Sequence, residues 1–302
     1  MTDWKEFFKA TVVGALVGTA FGLFAFFVLT RLQFPNMGVA LFWATPVAAG
    51  FSIALVAAKG NQAWAAVVLS ILFTLALLVG LGKEGLVCAA LAFPIMAAGL
   101  GIGIAIGLLA RRLANRAGNR DTITGALLLA GPLLVFAGVR IDRPLFQDPR
   151  IEIVKSEVEI NQPAEQVWPR ILTVDNVRAS KPFLMYIGLP VPRTCTMQGR
   201  GIGAKRTCHF DVGYIEETVT AWNPPYYMAL SIDRTHMPGR HWLDFESAEY
   251  RLQPEEHKTL LIRTTAISSH LHPAWYWRTF EKLGVESEHK YILQDILLKS
   301  GG

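Results

Sequence analysis

Residues 10–30 read ATVVGALVGTAFGLFAFFVLT, twenty-one positions without a charge. A helix needs about 20 apolar residues to cross the hydrocarbon core of a bilayer. This stretch is therefore a membrane span. Four further uncharged stretches follow, at 32–58, 60–82, 85–110 and 122–139. The last, Thr122–Val139, is at the short limit but very apolar. Nothing comparable occurs after residue 143. The expected architecture is a membrane all-α bundle of five transmembrane helices over 1–143, followed by a soluble domain over 144–302. The first stretch is longer than the roughly 7–15-residue apolar core of a signal peptide, and no small-x-small cleavage site follows it. Arg31-Leu-Gln-Phe-Pro35 follows instead, so it reads as an uncleaved anchor with Trp4, Phe7 and Phe8 at the interface.

Charge divides the chain at the same place. Residues 1–143 hold 11 Lys and Arg against 5 Asp and Glu, a net of +6, whereas residues 144–302 hold 18 against 19, a net of −1. The basic character thus belongs to the membrane half, and a nucleic-acid partner is excluded for the near-neutral soluble half. Lys5, Lys9, Lys59, Arg111, Arg112, Arg116 and Arg120 fall on one side of the expected spans, and Arg31, Lys83, Arg140 and Arg143 on the other. Seven against four places the N-terminus inside by the positive-inside rule. An odd number of spans then puts the C-terminal domain outside, in the periplasm if the membrane is a bacterial inner membrane. This placement depends on the fifth span crossing.

Ionisable residues inside spans mark proton and ion pathways, and none of the five uncharged stretches has one, which argues against an ion-coupled transporter. Gly14, Gly18 and Gly22 repeat every four residues, as do Gly99, Gly103 and Gly107. Such spacing clears one helix face for close approach by a second helix. Packing within the bundle is the plainer explanation; a homodimer seam, a membrane partner or a lipid groove is the sharper one. Pro46, Pro94 and Pro132 sit within spans as kinks that bundled helices tolerate.

After Pro144 and Pro149, read as a short linker, the pattern turns from continuous apolar to alternating. Ile151–Ile160 reads as a strand ended by Asn161-Gln-Pro163. Val167, Trp168, Ile171 and Leu172 then recur at helical spacing. Strands are expected at about Thr194–Gln198, Ala204–Val212, Ile215–Trp222, Tyr226–Asp233, Ala248–Gln253 and Thr259–Ser268, joined by short turns that imply antiparallel neighbours. A final helix spans Pro273–Lys299, with Tyr276, Phe280, Leu283, Ile292, Leu293, Ile296 and Leu297 as its buried face.

This order, with Val158-Glu-Ile-Asn-Gln-Pro-Ala-Glu-Gln-Val-Trp168, Gly201-Ile-Gly-Ala-Lys-Arg206, Glu216-Glu-Thr-Val-Thr-Ala-Trp-Asn-Pro-Pro225 and the helix after Leu271-His-Pro273, resembles the START-like superfamily, also called SRPBCC or polyketide cyclase/dehydrase and lipid-transport proteins. The resemblance covers about residues 151–300. It implies an α+β helix grip, an antiparallel sheet wrapped around the long C-terminal helix, with an apolar cavity between them for a hydrophobic small molecule or lipid. It supplies no universal catalytic residues, and no cofactor is expected.

Several side chains invite chemistry. Gly199-x-Gly-x-Gly203 lacks nucleotide-loop spacing and opens no helix, so it reads as a hairpin turn. His270 and His272 lack a third ligand, and no metal is expected. Glu216 and Glu217 are adjacent on a strand and face opposite ways, while Asp244 and Glu246 share a face that an exposed edge explains. Cys88 falls in the fourth span. Cys195 and Cys208 flank the glycine turn symmetrically, opposed across the hairpin and within disulfide range; an oxidising compartment permits the bond. Cavity candidates are Met185, Tyr186, Phe210, Tyr227, Met228, Trp242, Phe245, Tyr276 and Phe280, each also explicable as ordinary core. The expected function is uptake or shuttling of a lipid-like ligand at the membrane surface. The alternatives are a membrane scaffold or sensor with a non-catalytic grip, and a polyketide cyclase/dehydratase-like enzyme needing a polar acid–base pair in the cavity.

Overall fold

The computed structural model describes residues 2–31, 38–57, 60–82, 85–116, 120–145, 148–237 and 242–301. They divide into two compact units, one of 1–84, 88–148 and 270–273, the other of 85–87, 149–269 and 274–302. Lys59 and Lys83, used above for orientation, lie outside the described residues.

The first unit is helical. It comprises α1 (Thr2–Arg31), a π-helical turn (Ala40–Ala44) leading into α2 (Thr45–Val56), α3 (Gly60–Gly80), α4 (Leu86–Arg116) and α5 (Arg120–Leu145). Among the described residues, three helical stretches are long and apolar enough to cross a membrane, Trp4–Leu29, Gly60–Gly80 and Leu86–Arg116, and Ala40–Val56 is a shorter apolar helix. The glycines show which way the helices run. A Cβ at Gly14, Gly18 or Gly22 of α1 would meet Ala66, Ser70 or Thr74 of α3, so these two helices are parallel. Gly99, Gly103 and Gly107 of α4 lie against Pro46, Val47 and Ala54 of α2, again in parallel. Gly60 and Gly101 put α3 antiparallel to α4 through Leu108 and Trp64, and Gly131 and Gly138 put α5 antiparallel to α2 through Ala48 and Ala40. Thus α1, α3 and α5 run one way, and α2 and α4 the other. The glycine faces are filled by helices of the same chain.

Helix α5 continues past the expected end at Val139, and Pro144 falls inside it rather than in a linker. The extension carries buried Asp142 to the start of the second helix, where its two oxygens accept the Val39 and Ala40 N–H groups, each at 2.8 Å. The first turn of a helix has N–H groups without intrahelical partners, and here a side chain about a hundred residues away in sequence supplies the acceptor.

The second unit is one seven-stranded antiparallel sheet and three helices. The elements are β1 (Arg150–Ile160), α6 (Ala164–Leu172), α7 (Phe183–Tyr186), β2 (Pro192–Gln198), β3 (Lys205–Phe210), β4 (Gly213–Asn223), β5 (Tyr227–His236), β6 (Leu243–Glu255), β7 (Lys258–Ser269) and α8 (Ala274–Lys299). The sheet order is β1-β7-β6-β5-β4-β3-β2, so the first strand closes onto the last and every other neighbour is a sequential hairpin. Strand β6 starts five residues before its expected start at Ala248. A bulge between Phe245 and Ser247 shifts the alternation there, and a period-2 reading loses the strand at that point.

The buried stripe of α8 is Trp277, Glu281, Val285, His289, Ile292 and Ile296. Its N-terminal half therefore differs from the expected one. Leu283 is exposed, and Tyr276 and Phe280 are only half-buried. The true stripe carries polar groups that the sheet satisfies, which hides it from an apolar search. Glu281 accepts from Ser269 Oγ at 2.5 Å and pairs with Arg150. His289 sits between Thr265 Oγ1 (2.8 Å) and Ser156 Oγ (3.0 Å). Beyond these, Met228, Leu230, Tyr250, Leu252, Leu261, Ile292 and Ile296 belong to the hydrophobic core of this unit.

Candidate functional site

A cavity of about 60 Å³ lies within the second unit, lined by strands β2 to β7 and by α8. Inward alternation puts its walls together. On β4 the buried positions are Ile215, Glu217 and Val219; on β6 they are Ala248, Tyr250 and Leu252; on β3 they are Arg206 and Cys208. Two of these series therefore carry a charged residue at an interior position. Arg206 and Glu217 are direct cross-strand partners of the β3–β4 hairpin, and Tyr250 and Arg263 are direct partners of the β6–β7 hairpin.

The resulting cluster is compact. Arg206 Nη1 donates to Glu217 Oε2 at 3.0 Å, with side-chain exposures of 3% and 7%. Arg263 grips Glu288 of α8 through both Nη groups, Nη1 to Oε1 at 3.1 Å and Nη2 to Oε2 at 2.9 Å. This two-pronged geometry is the strong form of the arginine–carboxylate pair. The Tyr250 ring is near both guanidinium groups, with Arg206 Cζ 5.6 Å and Arg263 Cζ 5.4 Å from its centroid, within cation–π range. Burial opposes the charge of Arg206, but Glu217 and then Tyr250 outweigh it, and the guanidinium is held above its ordinary pKa. Arg263 follows the same pattern, with burial opposed by Glu288 and Tyr250. Each arginine nevertheless retains one buried donor, its Nε–H, that meets no acceptor among the described residues. Buried donors of this kind are rare in folded proteins and call for an explanation.

Apart from Thr265, whose hydroxyl is taken up by His289, the rest of the lining is apolar. Phe210, Ile232 and Phe245 are half-buried and form the more open part, while Ile215, Ala248 and Ile292 are buried. Cys195 and Cys208, directly paired across β2 and β3, also line the cavity and are joined by a disulfide with S–S 2.10 Å.

Of the nine aromatic and methionine residues singled out in the sequence, Phe210 and Phe245 line this cavity. Met185 and Met228 are packed into the core cluster. Tyr186 is exposed, Trp242 is buried away from the lining, Tyr227 lies beside Arg251, and Tyr276 packs edge-on against Phe280. Sequence reasoning missed Arg206, Glu217, Tyr250, Arg263 and Glu288. The centring argument that pairs Cys195 with Cys208, applied one hairpin later, pairs Arg206 with Glu217. Among the described residues no group of three or more His, Cys, Asp and Glu is placed to hold a metal.

A seven-stranded antiparallel sheet closed by β1 and β7, carrying two short helices after β1 and a long C-terminal helix against it, decides the architecture. The C-terminal half has the fold of a helix grip. Solved structures similar to this half include the Zhui aromatase/cyclase from Streptomyces (16% identity, 50% of this chain and 94% of that one, TM-score 0.36). A norcoclaurine synthase point mutant from Thalictrum flavum is also similar (11% identity, 50% and 95%, TM-score 0.36), as is a protein from Nitrosospira multiformis (19% identity, 49% and 95%, TM-score 0.32). No protein-family model and no curated protein matches the chain.

Proposed function

We propose that this chain is a membrane-anchored binding protein whose grip domain takes up a small, largely apolar ligand from the bilayer. The observation that carries the reading is the cavity itself, in which half-buried Phe210, Ile232 and Phe245 lead to a buried polar cluster. Ligand sites are concave, mostly apolar and furnished with a few placed polar groups. At about 60 Å³ the cavity is smaller than the roughly 150 Å³ that holds benzene. Entry of an organic ligand therefore displaces the half-buried side chains.

The anchoring half is read as five crossings, with the N-terminus cytoplasmic and the grip on the opposite side. The alternating directions of α1 to α5 and the excess of Lys and Arg on one side support that reading. A disulfide in the grip fits an oxidising compartment. The test is organic extraction of the full-length protein, purified from its own membranes, followed by mass analysis. The expected result is one apolar molecule in near-stoichiometric amount that a control membrane protein from the same preparation lacks. Equal lipid in both samples contradicts the proposal.

A further inference from the structure

Resting on the binding reading above, we infer that the ligand's polar end is an uncharged oxygen acceptor, a ketone or ester carbonyl, received by the Nε–H groups of Arg206 and Arg263. The two guanidinium charges are already matched. Arg206 faces Glu217 and Arg263 faces Glu288, so the cluster has no positive charge in excess. What it lacks is acceptors, since both Nε–H groups are buried in the cavity lining without one. A carboxylate or phosphate would bring an unmatched negative charge beside buried Glu217 and half-buried Glu288, where like charges and desolvation both oppose it. A hydrocarbon would leave both donors unsatisfied, which is the costly outcome for a buried polar group. A neutral carbonyl oxygen has two lone pairs with which to accept from such donors, and adds no charge. The apolar lining of Phe210, Ile232, Phe245 and Ile292 then faces the hydrocarbon body.

The experiment uses full-length protein in detergent micelles and three small probes of matched shape: acetophenone, benzoate and ethylbenzene. Binding is titrated by saturation-transfer NMR, with empty micelles subtracted. Acetophenone is expected to bind at least tenfold more tightly than either of the others. Arg206→Lys and Arg263→Lys retain the charge facing each glutamate but lose the Nε–H, and each is expected to reduce that preference below threefold. The carbonyl resonance of ¹³C-labelled acetophenone should shift on binding to the wild type and much less on binding to either variant. Near-UV circular dichroism reports whether the variants fold, and the wild-type ranking decides the matter without them.

Tightest binding of benzoate overturns the inference in favour of an anion site. Equal binding of all three overturns it in favour of a purely apolar cavity. Binding of none overturns it as well. In each case a molecule recovered by extraction leaves the binding reading standing, whereas an empty extract removes both.

Discussion

Removing Arg206 while leaving Glu217 in place should destabilise the grip more than any single truncation of its apolar lining. The two charges are 3.0 Å apart and almost fully buried. At an effective dielectric of about 20 their attraction is roughly 5–6 kcal/mol, much of it offset by the cost of taking both out of water. Deleting one partner strands the other charge, at about 3–5 kcal/mol. For a domain of this size ~1 kcal/mol moves the melting temperature by ~2–4 °C, so Arg206→Met should lower it by roughly 6–20 °C. Replacing both partners by groups of similar shape is often close to neutral, so Arg206→Met with Glu217→Leu should recover most of the loss. The assay is thermal unfolding of the full-length protein in detergent, followed by near-UV circular dichroism, for wild type, both singles and the double. A coupling of ~2 kcal/mol or more between the sites is expected. The reasoning fails if Arg206→Met melts within about 2 °C of wild type, or if the double variant loses the sum of the singles.

A Cβ at Gly103 would lie 2.1 Å from the Val47 carbonyl and 2.9 Å from the Phe51 nitrogen, both backbone, whereas one at Gly80 meets nothing within 4 Å. Gly103→Ala should therefore shorten the lifetime of the protein in detergent, and Gly80→Ala should not, as size-exclusion profiles after heating will report. Cys195 and Cys208, 13 residues apart, close a loop whose cross-link is worth about 3 kcal/mol. Alkylation without reductant should leave both unmodified, and Cys195→Ser with Cys208→Ser should unfold earlier in urea. His289 is fully buried and held neutral, its pKa lowered to about 2 by desolvation and by Arg263. A base with a lowered folded pKa contributes stability that is complete above its unfolded value near 6.5 and is lost as pH falls. The grip should thus lose up to ~1.4 kcal/mol per pH unit below pH 6.5 from this residue, and His289→Gln should flatten that slope in urea titrations.

The sheet was legible in the sequence because its strands alternate between turn residues, and the order of β2 to β7 followed from short hairpins, whereas the pairing of β1 with β7 joins segments about a hundred residues apart and no local pattern announces it. Strand β6 was cut short at the Phe245 bulge, where one extra residue inverts the faces. The face of α8 was misread in its first half because Glu281 and His289 are interior only by virtue of Arg150, Ser269, Thr265 and Ser156, residues brought opposite by the fold. The cavity cluster was missed for the same reason. Arg206, Glu217 and Arg263 look like surface charges until strand alternation and hairpin register are traced through Ile215, Val219, Cys208 and Leu261. The cap that Asp142 provides depends on a tertiary approach between α5 and α2 that no local pattern announces. Helix-forming apolar stretches were plain, and among the described residues three of the five meet the length and hydropathy of a span.

The most direct test of ligand uptake is native mass spectrometry of the full-length protein released from detergent, wild type beside Ile232→Trp, which narrows the half-buried side of the cavity. The account predicts a discrete added mass on the wild type that falls at least tenfold in occupancy on the variant. An identical adduct pattern on both proteins, or none on the wild type, would contradict it.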